Sequence, residues 1–359
     1  MSCQALAATL HDAAALSGAW GADARIVLGG AVAGADILAP SALALNAAEA
    51  ETALRGGAKN YFFTFGNQTT PPDATALAPV LDTLIARSGI GFMAACLAAP
   101  SLGRTVYQGH LFQDGRLIAN LRQTFSEALE GRTVIIPHAT VAQGDTALRR
   151  ALAAAREQGA ALALLDAIAP AECETIAQVL ESQLLRAGPA WLSRLPEAPD
   201  SPAPTGPLAI LSGALDRQTL FQLGAARTAG VPFFQLDLNA PDAALPWAAA
   251  QGEGLKIIAA SATPDRQHPS ADATAILAGL AAHLAATGHT RFVITGNDTA
   301  AAILARLGVH TLTPGAAHAG LRWLRSGDYN FLLKPAGFGS KNLFLDGFEP
   351  QNCLNTAAE

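Results

Sequence analysis

The sequence predicts an α/β protein of two domains, each a largely parallel sheet flanked by helices, with a cleft between them. Short apolar runs alternate with helical patterns along most of the chain, which is typical of parallel βαβ units. The 359 residues, half of them hydrophobic, are enough to build two domains with sizeable cores. Five prolines among the polar residues 196–207 mark a linker, so the predicted domains span 1–195 and 208–359.

The first domain begins with alternating strand and helix patterns. The aromatic run at 60–65, NYFFTF, indicates a strand, and apolar positions at helical spacing indicate a helix at 73–87. The Thr- and Pro-containing segment 66–72 between them indicates a loop. The other predicted elements of this half are a helix and then a strand within 1–30, a strand at 36–45, a helix at 47–54, strands at 91–97, 133–136 and 161–166, and helices at 146–158 and 170–185.

Residues 103–112, GRTVYQGHLF, are the most distinctive segment of this half. They place Arg104, Thr105, Tyr107, Gln108 and His110 in ten residues of an otherwise Ala-rich chain. Such polar density predicts a loop that binds a polar ligand. The alternative is a β-hairpin whose side chains only satisfy surface carbonyls, and a downstream Asp-Gly pair is a favoured hairpin turn.

The same alternation restarts after the linker. The predicted elements are strands at 208–211, 232–237 and 256–261, a helix opened by Ser212-Gly213 that continues to 228, and a helix at 274–287.

Residues 291–308 form the segment most suited to a ligand in the second domain. A short apolar strand runs into Gly296, the N-cap residue types Asn297, Asp298 and Thr299 follow, and a helix ends at Gly308. This arrangement leaves backbone N–H groups at the positive end of a helix, which suits a phosphate. A plain βα unit without a ligand is the alternative.

Composition argues against several classes of function. The net charge of −6 gives no basic footprint, so nucleic acid is not an expected partner. The four cysteines are scattered, which favours reduced thiols and a cytoplasmic protein. Neither a signal peptide nor an apolar run of about 18 residues is visible, so no membrane partner is expected. The histidines lack metal-ligand spacing, so no metal ligand is predicted.

Four segments together resemble the four-carbon acid sugar kinase family, in its 3-oxo-tetronate kinase branch. Residues 103–112 match the GRTVYQGHLF signature of that branch letter for letter. Ser212-Gly213 stands where the family has an SGS turn, and residues 296–299, GNDT, stand where it has GGET. Residues 334–339, KPAGFG, stand where it has KSGNFG. Order and spacing agree along nearly the whole chain.

The resemblance implies an ATP-dependent kinase that phosphorylates a hydroxyl of a four-carbon sugar acid such as 3-oxo-tetronate or threonate, with Mg²⁺. It implies a sugar-acid-binding domain at 1–195 and a nucleotide-binding domain at 208–359. The oligomeric state stays open, with a homodimer as one alternative. The implied substrate-binding residues are Arg104, whose planar fork suits a carboxylate, Thr105 and His110. The implied nucleotide-binding residues are Ser212, Gly296, Asn297, Asp298, Thr299, Lys334, Gly337 and Gly339.

The chain departs from the family pattern at acidic positions. The DDFTGA-like motif of the family appears as residues 11–15, HDAAA, which leaves Asp12 as the predicted catalytic residue, either as base or as Mg²⁺ partner. The STFDST loop appears as residues 63–68, with Gly66 in place of the Asp, and Pro335 removes a backbone donor.

Two readings of the function therefore remain open. One is an active kinase with an altered substrate, and the other is a homologue that binds nucleotide or sugar acid without turnover. A Rossmann-type dehydrogenase is disfavoured, because no GxGxxG opens a helix.

Overall fold

The computed structural model describes residues 3–20, 26–28, 37–40, 44–55, 58, 60–67, 71–193, 201–237, 240–260, 271–346 and 348. The chain divides into two compact units, Met1–Ala198 and Pro199–Glu359. We refer to them as the amino unit and the carboxyl unit. Residues 196–200 of the predicted linker lie outside the described residues.

The amino unit is built on a parallel sheet. Its strands are β1 (Cys3–Ala7), β2 (Ile26–Leu28), β3 (Ile37–Ala39), β4 (Asn60–Thr64), β5 (Met93–Ala95), β6 (Arg104–Tyr107), β7 (His110–Gln113), β8 (Arg116–Asn120), β9 (Thr133–Ile136), β10 (Leu162–Leu165) and β11 (Leu185–Gly188). The order in the main sheet is β2-β3-β1-β4-β11-β5-β10-β9, with every pair parallel. The loops that follow these strands therefore meet at one carboxyl edge.

Helices connect these strands. They are α1 (Leu10–Trp20), α2 (Ala47–Leu54), α3 (Ala74–Arg87), α4 (Leu121–Ala128), α5 (His138–Val141), α6 (Asp145–Glu157) and α7 (Pro170–Leu180). Side chains fix their starts: Asn46 and Glu49 form a capping box for α2, and the Asp73 carboxylate accepts two backbone N–H groups of α3. On α3, Leu81 and Leu84 are fully buried, as the apolar spacing predicts.

A small antiparallel sheet, β6-β7-β8, carries the GRTVYQGHLF segment. Its first turn places Gln108 and Gly109 at φ of +50° and +72°, and its second places Asp114 and Gly115 at +50° and +78°. Positive φ at both central residues matches the twist of a two-residue hairpin. The hairpin alternative is therefore confirmed as the local structure.

Two predicted helices are wrong in part. The first described element is strand β1, not a helix, because this Ala-rich segment pairs with both β3 and β4 in the middle of the sheet, where Ala5, Leu6 and Ala7 are fully buried. Such pairing overrides helix propensity. The helix predicted to reach residue 185 ends at Leu180, and Leu185 begins β11. Of the predicted strand at 36–45, β3 covers Ile37–Ala39, residues 40, 44 and 45 are not strand, and residues 36 and 41–43 lie outside the described residues.

The carboxyl unit contains a second sheet. Its strands are β12 (Leu208–Ser212), β13 (Phe233–Gln235), β14 (Lys256–Ala259), β15 (Arg291–Thr295), β16 (Thr311–His318), β17 (Leu321–Ser326) and β18 (Tyr329–Lys334), and its helices are α8 (Arg217–Thr228), α9 (Ala244–Ala250), α10 (Ala271–Ala286) and α11 (Asn297–Arg306). The order is β13-β14-β12-β15-β18-β17-β16, with β17 antiparallel to both neighbours. The buried core includes Ile210, Ile257, Val293 and Leu332, one from each of four adjacent parallel strands.

The connections of this sheet reverse direction between β12 and β15. From β12 the chain passes through α8 to β13 on one side, whereas from β15 it passes through α11 to strands on the other side. In open α/β sheets, ligands bind at the carboxyl edge beside such a switch point. We therefore expect a ligand-binding site among the residues that follow β12 and β15.

Two predicted helix starts in this unit need correction. The helix expected from Ser212-Gly213 begins at Arg217, with Asp216 as its N-cap. Helix α11 has Gly296 as its N-cap, and Asn297, Asp298 and Thr299 form its first turn instead of capping it.

The predicted fold class, two domains with largely parallel sheets flanked by helices, is confirmed. None of the helices in the described part of the chain is long and apolar enough to cross a lipid bilayer.

Candidate functional site

Asp12, the predicted catalytic residue, lies in the first turn of α1 at the carboxyl edge of the amino unit. Its Oδ2 accepts the Thr9 hydroxyl at 2.8 Å, and its Oδ1 accepts the backbone and side-chain N–H groups of Asn67 at 3.0 and 2.9 Å. The residue is 1% exposed. Burial raises the pKa of its carboxyl group, and these hydrogen bonds and the Arg104 charge only partly oppose the rise.

Asn67 completes this buried cluster. Its side chain also donates to Thr64 Oγ1 at 3.0 Å, and its Oδ1 accepts the Ala190 backbone N–H at 2.6 Å. The amide thereby joins the loops that follow β1, β4 and β11. The sequence drew attention to Gly66 beside it and missed Asn67, because its partners lie 55 and 123 residues away.

Arg104, predicted to bind a substrate carboxylate, is fully buried in the amino unit. Its Nε donates to the Leu97 carbonyl at 3.0 Å, and Nη2 donates to the Gly66 carbonyl. Burial lowers the pKa of the guanidinium to about 10, with Asp12 opposing the change. In this arrangement Arg104 fastens the hairpin to the loops after β4 and β5, and its contact with a substrate stays a prediction.

Thr105 and His110 lie on the other face of the hairpin. Thr105 alternates with the buried Arg104 and Val106 along β6, and it is half-buried. His110 pairs with Tyr107 across the turn, is likewise half-buried, and has its Nδ1 3.0 Å from the Gln108 carbonyl. Thr105 and His110 are therefore separated from Arg104 by the sheet, and the three do not converge on one point.

An unpredicted acid, Asp166, holds the tip of this hairpin. Its carboxylate accepts the backbone N–H groups of Gln108 at 2.6 Å, Gly109 at 2.9 Å and His138 at 3.0 Å, and it is fully buried. Beside it, His138 Nε2 lies 2.7 Å from Glu172 Oε1. The signal in the sequence was modest: an acid directly after the buried run LALL, and a histidine after TVIIP.

In the carboxyl unit, three polar residues lie side by side at the switch point, two of them predicted to bind nucleotide and the third between those two. Ser212, Thr295 and Lys334 end the neighbouring strands β12, β15 and β18 and are in register with one another. The Ser212 and Thr295 hydroxyls are 2.7 Å apart, and Thr295 Oγ1 also accepts the Ala214 backbone N–H at 3.2 Å. These contacts fix the loop after β12 against the end of β15.

The N-terminus of α11 lies directly beside this loop. Gly296, the N-cap residue, has no side chain with which to cap the first turn of this helix. A Cβ on Gly213 would come within 1.8 Å of Thr299 Oγ1, and one on Gly296 within 3.3 Å of the Ala214 nitrogen. Thr299 Oγ1 is buried and has no hydrogen-bond partner among the described residues. Two glycines thus let the two loops approach closely around a helix end that has no side-chain cap.

Lys334, predicted to supply a positive charge, is fully buried and donates to Thr219 Oγ1 at 2.6 Å. Thr219 in turn donates to Asp216 Oδ2 at 2.6 Å. Burial lowers the pKa of Lys334 to about 8, and Asp216 opposes the change. Burial alone would raise the pKa of Asp216, but the Thr219 hydrogen bonds, the Lys334 charge and the Gly337 N–H together hold it below its usual value.

Gly337 and Gly339 lie in the turn after β18, which α8 holds in place. The Gly337 N–H donates to Asp216 Oδ1 at 3.0 Å, and the Gly339 carbonyl accepts Gln218 Nε2 at 2.7 Å. Gln222 Nε2 donates to the carbonyls of Phe338 and Ser340. The predicted nucleotide residues thus fall in two neighbouring groups: Ser212 with Gly296–Thr299, and Lys334 with Gly337 and Gly339.

This arrangement fits a phosphate group better than a protein-built metal site. Backbone N–H groups at a helix end without a side-chain cap bind anions. Across the described residues, no three His, Cys, Asp or Glu side chains are arranged to hold a metal ion. Mg²⁺ commonly takes one or two carboxylates together with substrate phosphates, and the half-buried Asp298 is the acidic residue in the first turn of α11.

Two domain families match the chain. One described as a sugar-binding N-terminal domain matches residues 73–194, and one described as a nucleotide-binding C-terminal domain matches residues 209–344. The chain belongs to the four-carbon acid sugar kinase family. This membership confirms the resemblance predicted from the GRTVYQGHLF signature and the glycine turns.

Curated members of the four-carbon acid sugar kinase family align with most of the chain. A 3-oxo-tetronate kinase from Cupriavidus necator is 28% identical over 352 residues, covering 86% of this chain and 81% of the relative. One from Burkholderia multivorans is 28% identical over 326 residues, covering 78% and 76%. Both relatives are named for the branch that the signature indicated.

Solved structures of two further proteins share the fold. A Salmonella typhimurium LT2 protein superposes with a TM-score of 0.78 at 23% identity, covering 95% of this chain and 97% of its own. A Haemophilus influenzae protein gives a TM-score of 0.72 at 21% identity, covering 95% and 98%. At these identities the likeness shows the fold alone.

Proposed function

We propose that this chain is an ATP-dependent kinase that transfers the γ-phosphoryl group of ATP to a hydroxyl of a four-carbon sugar acid. The observation that carries the proposal is the start of α11, which has no side-chain cap and lies against Gly213 at the switch point of a nucleotide-binding domain. The relatives named 3-oxo-tetronate kinases supply the class of acceptor, a four-carbon sugar acid.

In this proposal the carboxyl unit binds the phosphates. The N–H groups of residues 296–299 donate to phosphate oxygens, Ser212 contributes a hydroxyl, and the turn at Gly337 and Gly339 borders the same edge. Lys334 adds positive charge behind them. Asp298 would hold Mg²⁺ together with phosphate oxygens, and the ion would supply positive charge against the charge that develops during transfer.

The amino unit contributes the sugar-acid residues of this proposal. Thr105 and His110 are accessible on the outer face of the hairpin, so they can contact a ligand as they stand. Arg104 and Asp12 are buried with partners in place, so each contacts a ligand only if that ligand replaces a present partner. Arg104→Ala therefore tests two roles together, and a thermal-stability measurement must accompany the affinity measurement.

Calorimetric titration with ADP and Mg²⁺ tests the nucleotide half of the proposal first. We expect saturable binding, and no binding at millimolar ADP would refute the kinase assignment. ADP release with 3-oxo-tetronate, threonate and other four-carbon sugar acids then tests turnover. Binding of both ligands without ADP release would favour the alternative, a homologue that binds without catalysis.

A further inference from the structure

The GRTVYQGHLF hairpin divides into a buried part and an exposed tip. Arg104, Val106 and Leu111 are essentially buried and pack the hairpin onto the amino unit. Tyr107 is 43% exposed and Gln108 is exposed beside it. If the segment contacts a ligand, these tip side chains can do so without any rearrangement.

A histidine and a glutamate lie directly beside this tip. The rings of Tyr107 and His138 are 5.7 Å apart, and His138 Nε2 is 2.7 Å from Glu172 Oε1. Glu172 is itself fixed, because its Oε2 accepts the backbone N–H groups of Ile168 at 2.7 Å and Ala169 at 3.2 Å. The carboxylate therefore cannot swing away from the imidazole without losing two other hydrogen bonds.

This geometry decides which nitrogen of His138 is available. A carboxylate only accepts hydrogen bonds, so Nε2 carries the proton and the lone pair of the neutral ring lies on Nδ1. Nδ1 has no hydrogen-bond partner among the described residues, and the side chain is 26% exposed. The Asp166 carboxylate accepts backbone N–H groups from both His138 and the hairpin tip. This shared acceptor keeps the imidazole and Tyr107 in their relative positions.

We propose that His138, oriented by Glu172, is a catalytic base for the sugar-acid hydroxyl, and that Tyr107 and Gln108 form the adjoining binding surface. The proposal rests on the kinase function proposed above. A histidine with one nitrogen held by a carboxylate and the other free is the arrangement of general bases. Asp12, by contrast, is buried with both oxygens engaged.

The step can be written with its atoms balanced. The substrate hydroxyl oxygen attacks the γ-phosphorus of ATP as the bond from that phosphorus to the β-bridging oxygen breaks, and ADP leaves. Nδ1 of His138 accepts the hydroxyl proton and later releases it to water. Glu172 stabilises the imidazolium while it carries the proton. Phosphorylated sugar acid and ADP are the products.

Kinetics of the full-length protein with 3-oxo-tetronate and threonate test the proposal. We expect His138→Gln to lower kcat by about 10²–10⁴-fold, the usual range for a lost acid–base group, with the KM for ATP unchanged. Added imidazole should restore part of the activity of His138→Ala. We expect Glu172→Gln, which removes the negative charge behind the ring, to lower kcat by about tenfold. A merely structural histidine would give no imidazole rescue.

His283→Gln is the matched control, since His283 is exposed in the last turn of α10 and should keep wild-type kinetics. Wild-type kcat in His138→Gln, with the wild type active, would overturn this inference and leave the kinase function standing. A wild type that binds the acid without turnover would refute the kinase function and the base role. In that case, equal sugar-acid affinity in Tyr107→Leu and wild type would also overturn the binding surface.

Discussion

Replacing Asp166 with asparagine should destabilise the amino unit strongly, although the substitution is nearly isosteric. The carboxylate accepts three backbone N–H groups, from Gln108 and His138 on Oδ2 and from Gly109 on Oδ1, and it is fully buried. An asparagine has one acceptor oxygen. If that oxygen keeps the two bonds made by Oδ2, the new NH₂ group faces the Gly109 N–H, and two donors oppose each other.

The expected magnitude follows from these three contacts. A buried donor left without a partner costs about 1–3 kcal/mol. Hydrogen bonds to a charged group contribute about 1.5–3 kcal/mol each and neutral ones about 0.5–1.5, so weakening the other two bonds costs roughly 2 kcal/mol more. We therefore expect a loss of about 3–5 kcal/mol in the free energy of unfolding. For a unit of this size the melting temperature should fall by roughly 6–20 °C.

Urea unfolding followed by circular dichroism would measure this loss. Asp114→Asn is the control, because Asp114 is exposed in the second turn of the same hairpin, at a left-handed position that asparagine tolerates. We expect the control to change stability by less than about 0.5 kcal/mol. A loss below 1 kcal/mol in Asp166→Asn would show that the three N–H groups do not depend on the carboxylate.

Three further predictions concern the carboxyl unit. A methyl group on Gly213 would lie 1.8 Å from Thr299 Oγ1, so Gly213→Ala should shift the start of α11 and weaken ADP binding about tenfold or more in a calorimetric titration. Because burial lowers the pKa of Lys334 to about 8, its charge is lost above that pH, and ADP affinity should fall between pH 7 and 9.5. His289 accepts a hydrogen bond from the buried Lys256, and burial together with that ammonium lowers its pKa. His289 keeps its ordinary pKa in the unfolded chain, so the unfolded chain binds a proton there at a higher pH than the folded protein does. The free energy of unfolding should therefore fall as the pH decreases below about 6.5, by up to about 1.4 kcal/mol per pH unit, as measured in urea titrations.

Each of these predictions has a matched variant. Gly224→Ala places its methyl group in open space on α8 and should leave ADP affinity unchanged. Lys334→Arg keeps its charge and should remove the alkaline decline, whereas the same decline in both proteins would contradict the role of Lys334. His289→Gln cannot titrate, so an unchanged acid dependence would mean that another group causes it.

Sequence patterns predicted the parts of the fold that depend on local chemistry. The aromatic strand β4, helix α3 with its buried apolar face and the glycine turn at Gly296 all follow from neighbouring residues. Strand β1 could not be predicted, because its residues favour a helix and only pairing with β3 and β4 makes them a strand. That pairing joins segments more than thirty residues apart.

The candidate sites divide in the same way. Ser212 and the start of α11 were visible as motifs, since a turn and a helix cap involve adjacent residues. The partners of Asp166 lie 28, 57 and 58 residues away in sequence. Two of them, Gln108 and Gly109, belong to the GRTVYQGHLF segment, but no motif marks Asp166 itself. Arg104 was identified by its type, but its burial depends on where the loops after β4 and β5 come to lie.

Hydrogen bonds join the start of α8 to the turn after β18, so the two segments should move together. Successive backbone groups of residues 337–340 form hydrogen bonds with three side chains from the start of this helix, those of Asp216, Gln218 and Gln222. A phosphate that draws this turn toward itself must therefore draw the helix with it. Nucleotide arriving at one loop would stiffen a stretch of chain more than a hundred residues upstream, and hydrogen exchange should slow in both segments at the same ligand concentration.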